Sequence, residues 1–247
     1  MNNVCYLRSL ISSHKLWQIS TRIGHGIKRQ HALSAGACLD LRNEKIAFSF
    51  RQYNISDMWS HSSAITEALA TLGDLLAERG EACDILVIGG GALLLSGLIT
   101  RPTEDLDVVA RLIDGGLVAA QPLPEFLLTA IVEVGEALGL EPNWLNAGPA
   151  GMVKFQLPEG IEARWSTHSF ASLTVRVASR WDLVHFKVFA AADYWPGKTK
   201  HTQDLVSLRP TLTELAAAEI WIKTQDSSQG FLPILQDLLR ALREGRY

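Results

Sequence analysis

Residues 87–110 read VIGGGALLLSGLITRPTEDLDVVA, with glycines between two apolar runs and acids after the second. A run of aliphatic residues ends in three glycines, a second apolar segment follows, and three acids then stand together as Glu104, Asp105 and Asp107. Short apolar runs next to glycine indicate buried strands. The stretch therefore predicts a strand, a helix and a second strand, over 84–88, 91–98 and 106–110. A turn with solvated acids would account for the charge, but it leaves the glycines and the aliphatic flanks unexplained.

The rest of the chain alternates helical and strand patterns up to residue 178 and is helical beyond it. Apolar residues at helical spacing predict two further helices in the first part, over 58–80 and 124–140. Runs of aliphatic and β-branched residues predict two further strands, over 153–157 and 173–177. A capping box of Thr211 and Glu214 indicates the start of one C-terminal helix. We therefore expect an α/β (α+β) fold with a small mixed sheet and flanking helices over 58–178, followed by a helical unit over 179–247.

The first 57 residues differ from the rest in charge. They contain eight lysines and arginines against three acids, which is a net charge of +5. The whole chain has a net charge of −3, so the other 190 residues have a net charge of −8. Their hydrophobic periodicity is weak, which is typical of a basic tail, a transit-like segment or an upstream start codon. We expect a basic, poorly ordered segment over 1–57 rather than a folded functional element.

The overall composition is that of a globular protein, because 47% of the 247 residues are hydrophobic. The net charge of −3 gives no reason to expect tight nonspecific binding of nucleic acid. The three cysteines have neither metal-binding spacing nor a disulfide framework, which predicts a reducing, cytoplasmic environment. No apolar run approaches the roughly 20 residues of a membrane span.

Two common glycine motifs for nucleotides are incomplete in this chain. The dinucleotide fingerprint requires G-x-G-x-x-G after a strand, and Gly89 and Gly91 match its first half, but Leu94 replaces the third glycine. The GKT of residues 197–199 lacks the glycine that a phosphate-binding loop has five residues earlier, where Ala192 stands. The sequence therefore favours neither class of nucleotide-binding protein.

The paired acids indicate a metal site. Side chains alternate along a strand, so Asp105 and Asp107 are expected on one face and Glu104 on the other. Like charges so close repel unless a cation lies between them, and Mg²⁺ is commonly held by one or two carboxylates together with substrate phosphates. Gly89 and Gly90 come at a helix start, where backbone N–H groups bind anions and the missing side chain lets a phosphate approach. The sequence therefore predicts a triphosphate site beside a magnesium ion.

These residues resemble the signature of the DNA polymerase beta-type nucleotidyltransferase superfamily, in particular its minimal bacterial AbiEii-like toxins and related uncharacterised members. Its hydrophobic-Gly-Gly element is matched by Ile88, Gly89 and Gly90. Its R-x-T-x-D-x-D element is matched by Arg101, Thr103, Asp105 and Asp107. Later segments are similar as well, namely WLN at 144–146, PEGIEAR at 158–164, DLVHFKVFA at 182–190 and KHTQDL at 200–205. The resemblance covers about residues 64–222.

The resemblance implies a role for each matching residue. The acid pair would bind Mg²⁺, and the two glycines, with Arg101 and Thr103, would hold a nucleoside triphosphate. A lysine on a later helix often contacts the phosphates in the family, and Lys187 matches it. The residues themselves leave two alternatives, because Lys187 has apolar neighbours three and four positions away and therefore either extends to solvent or meets an anion. Asp204 either orients Lys187 or caps a helix.

Catalytic members of the family usually add a third acid on a later strand, and here Glu162 is the only nearby candidate. Either Glu162 serves, or two acids suffice, or the site binds nucleotide without turnover. The first hypothesis is therefore an enzyme that moves a nucleoside monophosphate from a nucleoside triphosphate to a hydroxyl of RNA, such as tRNA, or of a protein. The resemblance further implies a toxin with an antitoxin protein as its partner. The alternative is a catalytically degenerate nucleotidyltransferase-fold binding module.

Overall fold

The computed structural model describes residues 62–246, apart from the side chains of 152–155, and two short strands nearer the N-terminus. These two strands are β1 (Gly36–Ala37) and β2 (Phe48–Ser49), and they pair antiparallel. The other residues of the predicted basic segment lie outside the described part of the chain. The chain divides into two units, Met1–Tyr53 and Asn54–Tyr247, and the second contains the predicted site.

The second unit combines a six-stranded mixed sheet with seven helices in its described residues, which confirms the predicted α/β class. The strands are β3 (Cys83–Ile88), β4 (Leu106–Ile113), β5 (Gly116–Ala119), β6 (Leu145–Asn146), β7 (Ser166–Phe170) and β8 (Leu173–Val177). The helices are α1 (Ser62–Glu78), α2 (Gly89–Leu95), α3 (Glu125–Leu138), α4 (Arg180–Ala192), α5 (Lys200–Leu208), α6 (Leu212–Gln225) and α7 (Phe231–Glu244). Two 3₁₀ helices cover Gly148–Phe155 and Ile161–Ala163. None of the helices in the described residues is long and apolar enough to cross a membrane.

The sheet order is β5-β4-β3-β8-β7, with β6 beside the first residues of β4. Strand β3 runs antiparallel to β4 and parallel to β8, and Ile88 at the end of β3 lies opposite Asp107 near the start of β4. An antiparallel pair places the end of one strand beside the start of the next. The glycines that follow β3 and the acids that begin β4 therefore meet at one edge of the sheet.

Helix α4 lies in the centre of the unit, because it packs against four other helices, α2, α5, α6 and α7. Its Leu183, Val184 and Val188 are fully buried. Ser179 caps its first turn, with its hydroxyl accepting a hydrogen bond from the Asp182 amide. A polar side chain in the middle of this helix must therefore find its partner inside the protein.

Four features of the sheet region differ from the sequence prediction. The predicted strand over 153–157 is wrong, because most of it lies in the 3₁₀ helix Gly148–Phe155. A short apolar run between a glycine and a proline has too few residues to distinguish the two structures.

Strands β5, β6 and β7 were not predicted. The β4–β5 turn has positive φ at both Asp114 (52°) and Gly115 (78°), the Asp-Gly pattern of a tight hairpin, while β7 reads STHSF and lacks apolar alternation.

Candidate functional site

Gly89 brings the backbone at the end of β3 against the acid pair. Its φ is +82°, in the left-handed region that favours glycine, and a Cβ built on it would overlap the carboxylate of Asp107. No side chain caps this first residue of α2, since Ile88 at the cap position offers no polar group. The glycine is thus required twice, by its backbone conformation and by the approach of the Asp107 carboxylate.

The next two glycines pack against the segment that carries the R-x-T-x-D element. A Cβ on Gly90 would lie 2.8 Å from Thr103 Oγ1 and 3.1 Å from Arg101 Nη2. A Cβ on Gly91 would lie 2.8 Å from the Asp105 carbonyl oxygen. The glycine element and the R-x-T-x-D element of the predicted motif are therefore in direct contact. Side chains at Gly90 and Gly91 would occupy the space that the R-x-T-x-D element fills.

The two carboxylates lie close enough to affect each other. Asp107 is the second residue of β4, whereas Asp105 precedes the strand by one position, in agreement with the predicted strand start at residue 106. Burial and, after it, the charge of Asp105 raise the pKa of Asp107 to about 6, although nearby lysines and a hydrogen bond with Asn146 act in the opposite direction. Glu104 is exposed. The pair therefore carries a local excess of negative charge, which a bound cation would relieve.

Asp204 joins two cations at the same place. Its fully buried carboxylate accepts hydrogen bonds from Arg101 Nε at 2.5 Å and Nη2 at 2.7 Å, and it pairs with Lys187 Nζ at 2.6 Å. Burial by itself would raise the pKa of Asp204, but the Arg101 hydrogen bonds and the Lys187 charge together lower it below its usual value. Helix α5 is capped by Thr199 instead. Of the alternatives left open by the sequence, Asp204 therefore orients Lys187 and does not cap the helix.

Lys187 does not extend to solvent, because its side chain is only 4% exposed. Burial lowers the pKa of Lys187, and the carboxylate of Asp204 acts against that shift. The apolar neighbours on α4 therefore hold the ammonium group against Asp204 inside the protein. The anion that Lys187 meets in this structure is a carboxylate, and through it the lysine is joined to Arg101 beside Gly90.

Lys200 and His201 belong to the same cluster, and the sequence prediction assigned neither to the site. Lys200 is the first residue of α5 and is exposed. Burial, followed by the charges of Lys187 and Lys200, lowers the pKa of His201 to about 4. The His201 ring stacks on Tyr194 with centroids 5.9 Å apart, and its buried Nδ1 has no hydrogen-bond partner among the described residues. The spacing of Lys200 and Asp204, four residues apart on one helix, is the sequence signal from which Lys200 could have been assigned to the site.

Glu162, the candidate third acid, stands in a different environment. It lies in the 3₁₀ helix Ile161–Ala163, is exposed, and lines a pocket of about 400 Å³ together with Leu117 and Leu157. That pocket contains none of the glycines or acids of the site. Within the described residues, no three His, Cys, Asp or Glu side chains come together to hold a metal ion. A magnesium ion at the acid pair would therefore have two protein carboxylates at most, a set that fits Mg²⁺ when substrate phosphates and waters complete the shell.

Searches of the chain against protein-family models, curated proteins and solved structures found no match.

Proposed function

We propose that the protein is a magnesium-dependent nucleotidyltransferase, which moves a nucleoside monophosphate from a nucleoside triphosphate to a hydroxyl group. The observation that carries this proposal is the contact between Gly89 and the carboxylate of Asp107. A bare backbone turn and a pair of carboxylates at the same sheet edge are the two parts that this chemistry needs, one for the triphosphate and one for its metal.

The residues of the site would have different roles, since the acids would bind the metal and the glycines and Arg101 would bind the triphosphate. Asp105 and Asp107 would hold the metal, and when bound it would activate the attacking hydroxyl and offset charge on the departing pyrophosphate. Gly89 and Gly90 leave the backbone open to the triphosphate. Arg101 lies beside Gly90, and its two hydrogen bonds to Asp204 fix its guanidinium group in one orientation.

The acceptor is proposed from the resemblance of the motifs. It is an RNA hydroxyl, such as that of a tRNA end, or a protein hydroxyl, and the protein acts as a toxin that an antitoxin protein neutralises. The cytoplasm is the proposed location, which agrees with the free thiol of Cys83.

Ligand-dependent stability tests the proposal with an Asp105→Asn and Asp107→Asn double variant. In a chelator the variant should be at least as stable as the wild type, because the substitution removes the repulsion between the carboxylates. With Mg²⁺ and a nucleoside triphosphate at about 100 times Kd, the wild type should gain about 2.7 kcal/mol, or roughly 5–10 °C in Tm for a unit of this size. The double variant should gain nothing.

Glu104→Gln is the matched control, since it removes an exposed acid from the same loop. It should keep the full response to Mg²⁺ and triphosphate. Equal responses of the wild type and the double variant would refute the metal site.

A degenerate binding module is the second candidate, and the observation that favours it is that Glu162 lines a pocket to which neither Asp105 nor Asp107 contributes. Pyrophosphate release separates the two candidates. Release that depends on Mg²⁺ and on an RNA or protein acceptor indicates transfer, whereas a stability gain without release indicates binding alone.

A further inference from the structure

Lys187 and Arg101, two of the cations at the site, already form ion pairs within the protein. Lys187 pairs with the fully buried Asp204, and Arg101 donates to both oxygens of the same carboxylate. The remaining Nη1 of Arg101 donates to the carbonyl oxygen of Pro102 at 2.9 Å. A phosphate that bound Lys187 would have to compete with a carboxylate 2.6 Å from its ammonium group, inside a region from which water is excluded.

Lys200 is a cation at the same site that has no such partner. Its side chain is exposed, and no carboxylate in the described residues forms an ion pair with it. Lys200 and Asp204 lie four positions apart on α5, so their Cβ atoms are about 5–6 Å apart on one face of the helix. Because Asp204 holds Arg101 beside Gly90, this face of α5 is directed toward the glycines and the acid pair.

The charge of Lys200 also acts on the residues around it. It is one of the charges that lower the pKa of His201, after burial and Lys187. The free ammonium group therefore stands near the buried ion-pair network.

We propose that Lys200 is the residue that contacts the phosphates of the bound nucleoside triphosphate, and that Lys187 is a positioning residue that holds Asp204 and, through it, Arg101. This inference rests on the proposed function, and it replaces the phosphate contact that the motif resemblance implies for Lys187. An exposed, unpaired ammonium group loses only hydration when a phosphate binds, whereas Lys187 would have to give up a buried partner.

The test compares Lys200→Met with Lys198→Met by isothermal titration calorimetry in the presence of Mg²⁺. Lys198 is a matched control, because it is two residues away, is exposed, and has no ion pair within the described residues. The probes are the four common nucleoside triphosphates and inorganic tripolyphosphate, which isolates the phosphate contribution from that of the base. Lys200→Met should weaken binding of both kinds of probe by about 10- to 100-fold, while Lys198→Met should change Kd less than threefold.

Lys200→Arg should recover most of the affinity, since it keeps the charge at that position. All three variants should unfold like the wild type in a chelator, because neither lysine forms an ion pair within the described residues. Unchanged tripolyphosphate affinity in Lys200→Met, or an equal loss in Lys198→Met, overturns the assignment and leaves the proposed function in place. A wild type that binds no triphosphate with Mg²⁺ overturns both.

Discussion

Replacing Gly89 with alanine tests whether the Asp107 carboxylate lies against the backbone at the end of β3. The substitution introduces two separate penalties. The backbone must keep φ at +82°, which an L-residue rarely adopts, and the new Cβ overlaps the carboxylate. A matched substitution is available eight residues later, because Gly97 has φ +66° and, apart from its chain neighbours, no atom of the described residues lies within 4 Å of the position its Cβ would take. Gly97→Ala therefore introduces the first penalty without the second.

The expected magnitudes follow from these two penalties. A left-handed backbone costs a non-glycine residue about 1–2 kcal/mol, so Gly97→Ala should lower the free energy of unfolding by that amount. Forcing an extra carbon into an occupied space costs about 1–3 kcal/mol more. Gly89→Ala should therefore lower the free energy of unfolding by about 2–5 kcal/mol.

Urea denaturation followed by circular dichroism measures both values, and a double-mutant cycle identifies the atom responsible. In an Asp107→Ala background the carboxylate is gone, so Gly89→Ala should cost about as much as Gly97→Ala does. The refuting result is an equal loss for the two glycine variants in the wild-type chain, or no relief of the Gly89→Ala loss in the Asp107→Ala background. Either result would show that the Asp107 carboxylate does not lie against the backbone of Gly89.

Two further predictions concern the buried groups around Lys187. Asp204→Asn removes the carboxylate that lies between Lys187 and Arg101 and should lower the free energy of unfolding by about 3–5 kcal/mol in urea titrations, whereas Lys187→Met, which leaves the Arg101 bonds in place, should cost less than half as much. Equal losses would contradict the shared role of Asp204. His201 has its pKa lowered from 6.5 to about 4 by burial, so the unfolded chain takes up a proton first and the free energy of unfolding should fall as pH drops from 6.5 toward 4. Relative to His201→Gln, the wild type should lose roughly 1–2 kcal/mol between pH 7 and pH 5, and parallel pH profiles would contradict the burial of the ring.

The strands and helices with strong local patterns were predictable from the sequence. Strand β3, the C-terminal helices and the capping box of Thr211 and Glu214 each depend on residues within one element, so their periodicity or end signals suffice. The exposed edge strand β7 was not predictable, because nearly all of its residues are exposed, and polar and apolar residues do not alternate along it. The run over 153–157 failed for a related reason, since its apolar residues fit a strand and a short helix equally well.

The candidate site shows the same division. The glycines, the paired acids and the polar position within apolar α4 could be recognised from the sequence, because these are local patterns whose chemistry is visible in the residue types. Which charges neutralise one another could not be read in this way, because the partners come from distant parts of the chain. Arg101 and Asp204 are 103 positions apart, and Lys187 reaches the same carboxylate from a different helix. Whether a lysine is free to bind phosphate depends on such long-range partners and on burial, and the packing of α4, α5 and the segment before β4 determines both.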